Sequence, residues 1–240
     1  MKIDPIELEH VKRVVKCATN AKIDNLVIEP GKIRGIDDDQ TIILFHTEDV
    51  PQFSFGSLGL NRISTFVARF DLAANISGTE VSVETETDKN GQLFARALNI
   101  KGKGIKIDYR CANPAVIRAP RKFVDIVTYH VDMSPDVLFF MTKGQSAMAS
   151  KEVTLTCKNS VTMFTITDVN GDELQYEFPL NAKDINNPAN KSVEFTYSYS
   201  LTTLLPLLKN VPDQPFCITA PTGMIKLTID GFDVYIMPVR

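Results

Sequence analysis

The chain has 240 residues, enough for one large domain or two of roughly 120 residues each. Hydrophobic residues make up 44% and charged residues 23%, which excludes a disordered chain, a collagen and a coiled coil. The net charge is −3, from 26 cations and 29 acids, so a nucleic-acid role requires local segregation of charge and not a basic surface overall.

Four segments carry helical periodicity. In the first, residues 6–20, Ile6, Val11, Val14, Val15 and Ala18 share a face, and Lys12, Arg13 and Lys16 lie off it. Asp4-Pro5 supplies an N-cap with proline at the first helical position. The second segment covers 58–72, with Leu60, Ile63, Phe66, Val67 and Phe70 apolar and Arg62 and Arg69 elsewhere on the wheel. The third covers 134–149 and opens on Ser134-Pro135. The fourth covers 200–210 and contains Pro206, which removes a backbone donor and predicts a short or kinked helix.

Strands are predicted between the helices, in four groups: around 26–28 and 42–45, over 81–107, over 153–178, and over 193–237. Alternation such as Val153-Thr154-Leu155-Thr156-Cys157 predicts sheets with one covered face and one wet face. Thr85–Gly91 (TETDKNG) resembles Thr165–Gly171 (TITDVNG), and both place Asn-Gly between strands, which predicts type I′ hairpins. The chain therefore reads as four copies of a helix followed by an antiparallel meander. The stretch 110–123, with Pro114 and Pro120, has linker composition. The expected organisation is α+β, with two similar domains of two repeats each: residues 1–110, a connector over 111–123, and residues 124–240.

The catalytic inventory is poor. His10, His46 and His130 have no neighbouring Cys, Asp or Glu at metal spacing. Asp37-Asp38-Asp39 lacks the spaced ligands of a calcium loop and reads as a solvated turn. Gly102-Lys103-Gly104 precedes a strand and not a helix, so it is no phosphate cradle. No nucleophile sits beside a base in a recognisable motif. The expectation is a protein that is not an enzyme and needs no cofactor or metal. Cys17, Cys111, Cys157 and Cys217 show no CxxC pair and read as reduced thiols of a cytoplasmic protein. No apolar run approaches the ~20 residues that span a bilayer.

Charge placement is more informative. The four helical segments hold seven cations (Lys12, Arg13, Lys16, Arg62, Arg69, Lys143, Lys209) and four acids (Glu7, Glu9, Asp71, Asp136), a net of +3. The rest of the chain holds 19 cations and 25 acids, a net of −6. The acids lie near helix ends, leaving the helix interiors basic. Such helices, gathered on one surface, would face an anion. Packed ~10 Å apart, twelve of them close a ring of axes ~38 Å across with a clear hole of roughly 28 Å. A duplex of roughly 20 Å passes through such a hole with room for water. At four helices per chain the ring is a trimer, and closing it covers the exposed sheet edges.

With these features the chain resembles the DNA sliding clamps, that is, the proliferating cell nuclear antigen family and the T4-type bacteriophage polymerase processivity clamps. Three segments carry the resemblance. Ser57–Phe66 (SLGLNRISTF) looks like the lead-in to the family's second helix. Ile36–Leu44 (IDDDQTIIL) is similar to a family strand segment that opens on a hydrophobic residue and an aspartate. Val234–Pro238 (VYIMP) looks like the family's closing Tyr-x-x-Pro strand. The resemblance implies a homotrimeric ring that encircles double-stranded DNA without reading sequence, tethers the replicative DNA polymerase and is opened by a clamp loader. It implies a partner-peptide pocket formed by Ile36, Gln40, Thr41, Val116, Ile117, Tyr235, Met237 and Pro238. Subunit contacts would involve strands near 105–109 and 161–167. The ending at Arg240, without the acidic tail of many cellular clamps, leans towards a viral clamp working in the host cytoplasm or nucleoid. The competing expectation is a β-rich viral assembly protein with no DNA-tethering role, and the basic helix interiors argue against it.

Overall fold

Asp4 starts the first helix as its sequence predicts. Its Oδ1 accepts a 2.7 Å hydrogen bond from the Ile6 N–H, and Pro5 occupies the first turn. A computed structural model describes residues 1–74, 78–120, 127–132, 134–158, 161–179, 194–211, 216–219 and 222–239. Among the described residues there are four α-helices: α1 (Pro5–Asn20), α2 (Ile63–Ala74), α3 (Pro135–Ala147) and α4 (Leu201–Leu208). None is long and apolar enough to cross a membrane.

Each helix is followed by three strands that pair antiparallel. After α1 come β1 (Asn25–Glu29), β2 (Lys32–Ile36) and β3 (Ile42–His46). After α2 come β5 (Glu80–Thr87), β6 (Leu93–Gly102) and β7 (Ile105–Arg110), with β4 (Leu58–Leu60) ahead of the helix. After α3 come β9 (Glu152–Lys158), β10 (Val161–Thr167) and β11 (Glu173–Pro179), with β8 (Val127–Val131) ahead of it. The last helix, α4, lies between β12 (Phe195–Ser200) and β13 (Phe216–Thr219), which leads on to β14 (Met224–Ile229) and β15 (Phe232–Ile236). The fold is α+β with antiparallel sheets, as expected.

The chain divides into two compact units. The first holds Met1–Phe123 and Asp230–Val234, and the second Val124–Ile229 and Tyr235–Arg240. Within each unit the two repeats exchange the strand that precedes each helix. In the first unit Lys2 bridges to Ser82 of the other repeat, and β4 pairs with β1. In the second, β8 pairs with β13 and β12 with β9. Neither repeat can complete its sheet alone, so each pair folds as one body. α1 packs on α2, and α3 on α4. The first core is built on Val14, Leu26, Ile28, Leu44, Phe55 and Tyr109, the second on Tyr129, Met141, Leu155, Phe164, Tyr199 and Leu204, each at most 1% exposed. Burial of each such side chain contributes about 1.5–3 kcal/mol.

Several elements differ from their sequence prediction. Residues 58–60 form β4 and not the start of α2, because the Leu26↔Leu60 and Ile28↔Leu58 pairs add them to the sheet. Gly59 allows this: a Cβ there would collide with the Ala112 carbonyl oxygen. Ile6, assigned to the apolar face of α1, is 79% exposed. α4 has only eight residues and retains Pro206, so it is short as predicted. The Asn-Gly loops are not type I′ turns, which require two consecutive positive φ angles. Only Gly91 (φ +79°) and Gly171 (φ +90°) are left-handed there. In their place Asp88 Oδ1 accepts from the Asn90 and Gln92 N–H groups, and Asp168 Oδ1 from those of Asn170 and Asp172. The two loops share this hydrogen-bond scheme.

Candidate nucleic-acid interface

All seven helix cations proposed to face DNA are exposed. Five stand on the α1–α2 pair of the first unit. Lys12 Nζ lies 3.7 Å from Glu9 and 5.4 Å from the Phe70 ring centre. Arg13 Nη2 donates to the Asp230 carbonyl oxygen at 3.0 Å, with its guanidinium 5.6 Å from the Phe232 ring. Lys16 Nζ pairs with Asp230 Oδ1 at 3.2 Å. Arg62, just ahead of α2, donates to the Arg110 carbonyl oxygen at 3.3 Å and lies 5.5 Å from the Tyr109 ring. Arg69 stands on α2.

The second unit carries two. Lys143 on α3 lies 5.9 Å from the ring of Phe139, which is itself 63% exposed. Lys209 closes α4 as its C-cap, where a cation suits the helix dipole. These are single, exposed charges on the helices or at their ends.

Two acids, one read as a helix-end charge and one as part of a solvated turn, have structural roles. Glu7 is 9% exposed, and its carboxylate accepts from the backbone N–H and the hydroxyl of Ser54. Asp38 and Asp39 are exposed in a turn as expected, but Asp37 is 8% exposed: its Oδ1 accepts from the Ile42 N–H and its Oδ2 from the Thr41 hydroxyl, both at 2.7 Å. Neither role is visible in composition, because a carboxylate that closes a loop and one that faces water look alike in sequence.

The expected peptide-pocket residues fall to both units. In the first, Ile36 ends β2 and is 9% exposed, Gln40 is exposed in a left-handed turn (φ +60°), and Thr41 is held by Asp37. Val116 is 77% exposed on a one-turn 3₁₀ helix (Pro114–Val116), and Ile117 is half-buried close to Gly59. In the second, Met237 and Pro238 are half-buried, and Tyr235 is 2% exposed. The Tyr235 ring is a core group, so its truncation tests packing before it tests binding.

Of the strands expected at subunit contacts, β7 is an edge of its three-stranded sheet. β10 is not an edge: β9 and β11 occupy both its sides, and among the described residues the edges of that sheet are β11 and β12. The exposed side chains of β7 are Lys106, Asp108 and Arg110, and those of β11 include Glu173, Gln175 and Glu177.

No cluster of three or more His, Cys, Asp or Glu side chains that could hold a metal ion occurs among the described residues. His10 and His46 pack against Phe232 with ring centres 5.7 and 5.2 Å away. Burial, followed by the neighbouring Arg13 and His46, holds the His10 pKa below its ordinary value. None of the four cysteines is in a disulfide, and burial pushes the Cys17 and Cys111 thiols up to about 12.

With this geometry the chain has the fold of the DNA sliding clamps. It is similar to the structure described as the C-terminal region of FEN-1 bound to A. fulgidus PCNA, at 14% identity and TM-score 0.58, over 95% of this chain and 96% of the other. It is similar to the proliferating cellular nuclear antigen of Entamoeba histolytica at 14% identity and TM-score 0.58, over 96% and 95%. The DNA polymerase sliding clamp of Pseudomonas aeruginosa is similar at 11% identity and TM-score 0.64, over 96% of this chain but 64% of that one. The chain thus spans about two thirds of the bacterial clamp's length. No family model matches the sequence, and no curated protein matches it.

Proposed function

We propose that this protein is a sliding clamp: a homotrimeric ring, without catalytic activity of its own, that encircles double-stranded DNA and holds a replicative DNA polymerase on it. The observation that carries this reading is the exposure of Lys12, Arg13, Lys16, Arg62, Arg69, Lys143 and Lys209 on the helices of a clamp fold whose net charge is negative. Topological linkage replaces tight binding. Dispersed cations interact with phosphate without reading bases, so the ring slides and its affinity for open DNA is weak and salt-sensitive.

The subunit contact joins β7 of one copy to β11 of the next. Among the described residues each leaves one row of backbone groups unpaired within its own sheet, and the glutamates of β11 complement Lys106 and Arg110 of β7. A clamp loader opens this contact. The residues offered to a short hydrophobic peptide of the polymerase are Ile36, Gln40, Thr41, Val116 and Ile117 in the first unit and, in the second, Met237 and Pro238, which follow the buried Tyr235 in the chain, with 111–123 as the connector between domains 1–110 and 124–240. A viral polymerase accessory factor acting in the host cytoplasm or nucleoid fits this reading.

Light scattering after size exclusion should give three times the 26.7 kDa chain mass, and a polymerase with its loader should make longer products on primed circular DNA when the protein is added. A monomer at every concentration, with product length unchanged, overturns the proposal.

A further inference from the structure

Asp230 occupies the turn between β14 and β15, yet its contacts are with α1. Lys16 Nζ lies 3.2 Å from its Oδ1, Asn20 Nδ2 donates to its Oδ2 at 3.3 Å, and Arg13 Nη2 donates to its carbonyl oxygen at 3.0 Å. Residues 13, 16 and 20 follow one another along one face of the helix, at spacings of three and four. One acid therefore meets three successive side chains of the helix that carries three of the seven proposed DNA-facing cations. Its own backbone is left-handed (φ +52°), a conformation held by the tight turn into Gly231. A Cβ on Gly231 would lie 3.1 Å from Arg13 Nη2, so the turn is pressed against the arginine. Asp230 remains 29% exposed and Lys16 68%, so solvent, and with it a phosphate, reaches the pair.

We infer that Asp230 is a built-in counter-ion that weakens the grip of α1 on DNA. Its carboxylate holds Lys16 and its carbonyl holds Arg13, so that a phosphate must compete with it for cations that would otherwise be free. A strong contact would stall a sliding ring, and an internal anion that exchanges with phosphate keeps each contact weak. This rests on the proposal that α1 faces DNA, and it assigns Asp230 the role of a positioning residue that acts through Lys16 and Arg13.

The test is retention of the full chain on immobilised duplex DNA, read as the salt concentration of elution, together with the salt dependence of binding to a short fluorescent duplex. Asp230→Asn and Asp230→Gly both remove the carboxylate and both tolerate a left-handed φ, so the turn survives. Each should elute later than the wild type, bind roughly three- to tenfold more tightly, and show a salt slope steeper by about 0.9, the value of one additional phosphate. A variant that merely loosened the structure would bind less. A Lys12→Ala/Arg13→Ala/Lys16→Ala variant should elute earlier. If it does while both Asp230 variants co-elute with the wild type, the counter-ion role is wrong and the DNA-facing wall stands. If all the variants elute with the wild type, α1 does not face DNA and the inference falls with that reading.

Discussion

The two units are built on one scheme and differ in what they display. Each pairs two repeats through exchanged lead strands, and each closes a hairpin with the same Asp-centred loop, at Asp88 and at Asp168. Yet the helices and lead-in of the first unit carry five of the seven candidate cations, and those of the second carry two. The wet sheet faces diverge as well. Across β5, β6 and β7 the first unit sets Glu80, Lys101 and Lys106 in one row, whereas across β10, β9 and β12 the second sets Thr165, Thr154 and Ser198, with a 2.9 Å hydroxyl contact between the last two. Strand alternation requires apolar residues on the covered face only, so the other face is free to change its chemistry without changing the fold.

The largest effect expected from this asymmetry is on DNA. Replacing Lys12, Arg13, Lys16 and Arg62 together by Ala should weaken duplex binding on the order of a hundredfold and flatten the salt slope by about 3, Lys16 being held by Asp230, against about tenfold and 2 for Lys143 and Lys209. Fluorescence anisotropy across a salt series measures both, and equal effects from the two units would break the comparison.

Glycines sharpen it next. Gly59→Ala should cost about 2–4 kcal/mol in chemical denaturation, because the new methyl meets the Ala112 carbonyl, which is backbone. Gly144→Ala in α3 meets the ends of the Ile166 and Leu174 side chains. These can shift, and the helix gains about 1 kcal/mol of propensity, so the net change should be within about 1 kcal/mol.

A smaller difference concerns acid. The His10 pKa is lowered in the folded first unit, so below the ordinary value of ~6.5 the unfolded chain binds more protons. Stability is therefore retained above that pH and declines as the pH falls through it. His10→Phe should flatten that part of the stability curve, and a curve that stays the same refutes the assignment.

The smallest effect lies in the shared loops. Backbone donation, from Asp172 first, holds the Asp168 carboxyl below its ordinary pKa, so its contribution is present at neutral pH and fades as the pH falls through that lowered value. Carbon-detected titration by NMR should place its midpoint below ~3.9, the unperturbed value. Asp88→Asn and Asp168→Asn should cause small, similar drops in melting temperature.

Helix positions, the strand after each helix and the exposure of the seven cations were legible in the sequence, since each depends on residues a few positions apart. Asp4 and Ser134 cap the helices they precede, with Ser134 Oγ accepting from the Val137 N–H. What failed was distant or ambiguous. Leu58–Leu60 has helical spacing, but pairing with β1 decides its form. Ile6 has the right period but no described element covers it, and it is exposed among the described residues. Asp37, Glu7 and Asp230 were indistinguishable from surface acids until their donors were placed beside them.

The sequence by itself determined the repeat and its parts: four helix-and-meander modules, basic helix interiors and Asp-Asn-Gly loops, because propensity, alternation and capping act over a few residues. Only the tertiary structure decided that the modules fold in pairs by exchanging strands, that β11 and not β10 is an edge, and that Asp230 meets Arg13 from 217 positions away. Those outcomes depend on which backbone donors and buried surfaces find one another across the chain, and no local pattern records that choice.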